Sequence, residues 1–112
     1  MSIKLAVLKS GEDIIADVKE IMSTEDNVVG YLLHNPHSVL CEEELVFVEE
    51  DDDHIPQFQI RLRPWLVLSK DTKIPIRPDG VITIVEPVKQ LKELYEEKLN
   101  GQSDQTDSTD EQ

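Results

Sequence analysis

Between Gln57 and Arg63 apolar and polar residues alternate without a break: Phe58, Ile60 and Leu62 point one way, Gln59, Arg61 and Arg63 the other. A period of two marks a strand buried on one face, here with guanidinium groups on the wet face. Such a strand needs a sheet to join. The stretch that contains it, Gln57 to Pro87, holds the only Trp and is strand-rich. It is also the one region with surplus positive charge: from Gln57 to Gly80 five bases (Arg61, Arg63, Lys70, Lys73, Arg77) face two acids (Asp71, Asp79).

The distribution of charge says more than its total. The chain of 112 residues is one domain by length and carries a formal −13, from 24 acids and 11 bases. An overall field that attracts DNA is thereby excluded. Glu42 to Asp53 contains eight acids and no base, and the tail adds Asp104, Asp107, Asp110 and Glu111. Without those eight and four, 12 acids face 11 bases, so the remainder is close to neutral. Cys41 is alone and can form no internal disulfide, and the start does not resemble a signal peptide. No apolar run approaches the ~20 residues of a membrane span. The expectation is a soluble, cytoplasmic protein. A chain this short buries only about 60–70% of its unfolded surface, so self-association is a natural source of stability.

Read in order, Ile3 to Lys9 alternates, Ser10 to Asp13 is a turn cluster with Gly11 for the reversal, and Ile14 to Met22 is a second strand, making a hairpin. Ser23 to Asn27 is a polar turn and Val28 to His34 a third strand. Asn35-Pro36 should interrupt it, because proline lacks the ladder donor, with Ser38 to Cys41 resuming after a bend. Glu42 to His54 is an acidic loop in which Leu45 to Val48 is a candidate short strand. The Gln57 strand is bent by Pro64, and Lys73 to Arg77 and Val81 to Glu86 are strands separated by Pro78-Asp79-Gly80. Pro87 suits a first helical turn, and Val88, Leu91, Leu94, Tyr95 and Leu99 form a helical stripe over about 87–99. Asn100-Gly101 is a stop signal. Residues 100–112 read as a disordered acidic tail, since nothing after Gly101 is apolar. The expected fold is mainly β: a small, bent, five-stranded open barrel over 1–99, closed by a C-terminal helix.

Three pieces, LKSGEDIIADV (Leu8 to Val18), YLLHNPHSVL (Tyr31 to Leu40) and RPWLVLSKDTKIPIRPDGVITIVEP (Arg63 to Pro87), resemble the Sm-like (Lsm) family, in particular the small Sm-like proteins of marine T4-type phages, the cyanophages. The first resembles the leading half of the first Sm signature, and Ile76-Arg77 opens something similar to the second. Two departures are visible. Pro78 and Asp79 precede Gly80 where the general family has Gly at once, and Asp26 and Asn27 sit two positions late. The resemblance implies an SH3-like barrel that assembles with itself into a ring of about five to seven copies, each sheet edge pairing with the next subunit. It also implies single-stranded nucleic-acid binding by the turns after the second and fourth strands, and a bacterial host cytoplasm as location if the chain is of phage origin.

The expected interface is therefore Asn27, Arg61, Arg63, Lys73 and Arg77, binding RNA or single-stranded DNA without catalysis and without a cofactor. Repetition around a ring multiplies a modest contact by avidity. The plainer reading makes these bases solubilising residues, some paired with Glu42 to Glu44 or Asp71, and Asn27 a turn residue chosen for its backbone habits. Trp65 and Tyr31 are either stacking platforms or packing residues. His34, His37 and Cys41 form H-x2-H-x3-C, short of the four ligands of a structural zinc site, so no metal is assigned. The acidic loop and tail are either solvated or a polyanion that competes for the basic rim. The alternative function is a phage assembly or interaction adaptor, a ring that binds protein partners, for which the −13 charge argues.

Overall fold

Strands β1 (Ile3–Leu8) and β2 (Asp13–Met22) form the expected hairpin, with Leu5 opposite Ile15. Gly11 makes the turn at φ 93°, a conformation in which a side chain is strained, and its N–H donates to Leu8 O at 2.9 Å. The computed structural model describes the backbone of residues 1–44 and 57–109, and the side chains of 1–42 and 59–101. The candidate strand at 45–48, most of the acidic loop and residues 110–112 lie outside the described residues.

The third strand corrects the expectation of an interruption. β3 (Val28–Glu44) runs through Asn35-Pro36 for 17 residues. Between the pairs Ile15–His37 and Asp17–His34, β2 advances two residues and β3 three, so Asn35 and Pro36 form a bulge. Asn35 takes a left-handed φ of 49°. Its N–H donates to Thr72 O at 2.7 Å, and Pro36 O accepts from Trp65 N–H at 3.0 Å. The bulge thus faces a loop instead of a ladder, and proline's missing donor is not needed there.

The strand count is also corrected, from five to six. β4 (Gln57–Pro64) pairs with β3 from Gln57–Glu44 to Pro64–His37, and β5 (Lys73–Ile76) pairs with the same edge of β3 from Lys73–His34 to Ile76–Tyr31. Residues 65–72 loop out between them. A 3₁₀ turn (Pro78–Gly80) leads to β6 (Val81–Val85), which pairs with β1. The antiparallel sheet has the order β4-β3-β2-β1-β6, with β5 beside β4 on β3. In a flat sheet β5 and β6 would lie roughly 19 Å apart, four strand spacings. Arg77 and a turn rising about 2 Å per residue connect them, so the sheet curls.

Each face of that sheet has its own core. Ala6, Leu8, Ile14, Ala16, Val18 and Leu33 are buried on the first, where Tyr31, Trp65, Ile76, Val81 and Ile84 pack against them. The other carries Ile3 and Ile15, covered by Leu91 and Tyr95 of helix α1 (Lys89–Thr109), with Val39, Ile60, Leu62 and Leu99 around them. The alternation of Ile60 and Leu62 against Arg61 and Arg63 is as expected: the first pair packs under the helix and the arginines are exposed. The helix starts two residues after Pro87 and continues through Asn100-Gly101. Its backbone is helical to Thr109, past the expected stop at Asn100-Gly101. Among the described residues no helix is long and apolar enough to cross a membrane.

Candidate nucleic-acid interface

Asn27 closes the β2–β3 turn. Ser23 organises that turn: its N–H donates to Asn27 O at 2.8 Å, and its Oγ accepts from the N–H of Glu25 at 3.2 Å and of Asn27 at 3.3 Å. Asp26 holds the left-handed position at φ 62°. Asn27's backbone is thus committed to the turn, while the residue itself is exposed.

Arg77 precedes the 3₁₀ turn and reaches the same end of the molecule. Ile76 pairs with Tyr31, which places Arg77 one residue further along, level with Gly30, only three residues from Asn27. Gly30 permits the approach, because a Cβ there would sit 3.1 Å from Ile76 O. Arg77 O accepts from Gly80 N–H at 3.1 Å and Gly80 O from Lys9 N–H at 3.0 Å, which pins the turn to β1.

The other three bases are elsewhere and divided. Arg63 pairs across from Ser38 and Arg61 from Leu40, and Ser38 pairs with Ile14, so both arginines project from the first face, beyond its core. Lys73 pairs across from His34, which pairs with Asp17, on the helix face. The bulge causes this split by reversing the alternation of β3. Of the five residues expected from the sequence, register therefore unites Asn27 with Arg77 and Arg61 with Arg63, and leaves Lys73 apart. Among the described side chains none of the four bases takes part in an ion pair or hydrogen bond; the side chains of Glu43 and Glu44 lie outside the described residues.

The aromatic residues go to packing. Tyr31 and Trp65 lie against the first core, and Trp65 Nε1–H donates to Glu12 Oε2 at 3.2 Å. His34 and His37 share the helix face, but Cys41 lies four residues past His37, about 13 Å along an extended strand. No group of three metal-binding side chains gathers among the described residues. His37 is instead part of a lock under the helix. Its ring meets Tyr95 edge to face at 5.6 Å, and its Nδ1–H donates to Asn35 O at 2.8 Å. The Tyr95 hydroxyl is shared between His34 O and Asn35 O, each at 3.0 Å. Burial holds His37 below the ordinary imidazole value, against the pull of Asn35 O and with help from the Lys98 charge. Burial likewise pushes the Tyr95 hydroxyl up to about 12.

One feature escaped the sequence reading. Leu66, Val67 and Leu68 are exposed in succession, Leu68 completely. The signal was present, since three apolar residues directly before Ser69-Lys70-Asp71 cannot all turn inward from one turn.

Residues 1–100 match a family described as a family of unknown function (DUF6561). No curated protein matches the chain.

Proposed function

The chain belongs to the DUF6561 family, and from its own geometry we propose that it is a Sm-like protein whose copies close into a ring and hold single-stranded RNA or DNA without catalysing a reaction. The observation that carries the reading is the register of β5 on β3, which brings the turns of Asn27 and Arg77 to one end of the sheet. An exposed amide beside an exposed guanidinium suits a base edge next to a phosphate. Two further features support it. The curled sheet, with its 3₁₀ turn between the strands at its two ends, suits a half-open barrel. Among the described residues β4, β5 and β6 each pair on one side only, and head-to-tail pairing around a ring would cover edges at both ends of the sheet.

Light scattering on the purified chain and titration of labelled oligonucleotides at two salt concentrations test this together. A ring that binds, with affinity falling as salt rises and falling several-fold in Arg77→Ala, is expected. A ring that binds no oligonucleotide at low salt would transfer the function to protein partners. A lone monomer would end the proposal.

A further inference from the structure

The loop that carries Leu66, Val67 and Leu68 is held firmly in place. Trp65 N–H donates to Pro36 O at 3.0 Å and Ser69 N–H to Leu66 O at 3.0 Å, closing a turn with Val67 and Leu68 at its centre. Asp71 N–H donates to Ser69 Oγ at 3.1 Å, and Thr72 O accepts from Asn35 N–H at 2.7 Å. Trp65 roots the loop in the first core. Its apolar side chains are thus displayed by design of the backbone, with exposures of 42%, 66% and 103%. Arg61 and Arg63 precede this run, Lys70 and Lys73 follow it, and Asp71 is the only acid among them. The order is base, apolar, base.

The same chain contains the complement. Glu42 to Glu44, then Leu45 to Val48, then Glu49 to Asp53 read acid, apolar, acid. We infer that the Leu45–Val48 run of one copy docks on the Leu66–Leu68 loop of another, its flanking carboxylates meeting Arg61 and Arg63, which share one face, and Lys70 of the loop itself. The geometry requires two copies. Gln57–Glu44 and Pro64–His37 bound the β3–β4 ladder, so the loop begins about 23 Å from where the run leaves the sheet. The run starts at the next residue, Leu45, and cannot be laid on its own loop. An anionic membrane would suit the loop tip too, but a flat surface would face the whole −13 charge, whereas a peptide segment meets only the basic patch.

This contact is separate from edge pairing and does not rest on the ring. It is tested with two full-length variants in a Cys41→Ser background, Val46→Cys and Leu68→Cys, mixed under mild oxidation. The mixture should form disulfide-linked dimers about tenfold faster than either variant alone, because docking raises the effective thiol concentration. The rate should fall with salt and in an Arg63→Glu/Lys70→Glu version of the Leu68→Cys chain. Cross-linking no faster than with a control thiol at exposed Glu25 (Glu25→Cys) would overturn the inference. So would a Trp65 fluorescence shift on anionic vesicles in the absence of that cross-link, which would assign the loop to lipid. A ring without the cross-link leaves the proposed function standing and removes only this contact.

Discussion

Tyr95 is the side chain on which the helix turns. It is fully buried, its hydroxyl serves two carbonyls at the bulge, and its ring meets His37. Removing the hydroxyl leaves His34 O without that donor and Asn35 O with only His37. Tyr95→Phe should therefore lose about 1–2 kcal/mol in urea unfolding, with the fold retained. The two shifted groups also set the pH range. His37 titrates lower in the folded chain than in the unfolded one, so its contribution is complete above the ordinary imidazole value of 6.5 and declines as pH falls through it, where the unfolded chain takes the proton first. Tyr95 titrates higher when folded, at about 12 against 10.0, so its contribution is complete below 10.0 and is lost as pH rises toward 12. Unfolding midpoints measured across pH should fall on both sides. His37→Phe should flatten the fall just below neutrality, and an unchanged slope there would remove His37 from the account.

The strands of the β1–β2 hairpin could be read from the sequence because their period is local: Ile14, Ala16 and Val18 are buried, and Lys19 is exposed. The stripe of Leu91, Tyr95 and Leu99 was legible for the same reason. The continuity of β3 was not. Whether Pro36 breaks a strand depends on who needs its missing N–H, and the answer lies at Trp65 and Thr72, some thirty residues away. The bulge then reverses the alternation, which is why Lys73 left the company of Arg61 and Arg63 although local reading grouped them. Asn27 was legible as a turn residue, whereas Arg77, read as the end of a strand, follows β5, which stops at Ile76; only the β3–β5 register brings the two to one end. That register can be tested through Gly30. Gly30→Ala sets a methyl 3.1 Å from Ile76 O, backbone that cannot rotate away, so β5 must shift. We expect a loss of roughly 1–3 kcal/mol and, on the proposed function, weaker oligonucleotide binding without any change in charge.

For the whole molecule the proposed function raises the question of how a chain of net charge −13 would present a cationic surface. One copy offers a single Arg77 and a single Asn27 at one end of its sheet, too little against its own acidic surplus. On the proposed function, closure into a ring would change the count without changing the chain, because each subunit would add the same pair around one circle. The edge of β6 is where closure can be broken cleanly. Ile82 sits in that strand, 64% exposed, at the point where pairing with β1 slips between Val7 and Leu8. It contributes to neither core, so a charge there should leave the fold intact and burden only a strand that tries to pair with it. Ile82→Lys is therefore expected to run as a monomer by light scattering, with its unfolding midpoint in dilute solution little changed from that of a dissociated wild type. Although the substitution adds a positive charge, oligonucleotide affinity should fall by about tenfold or more, and its dependence on salt should become shallower, because fewer phosphates are engaged at once. If the added lysine instead strengthens binding, overall charge governs the interaction and the repeated Arg77 end does not.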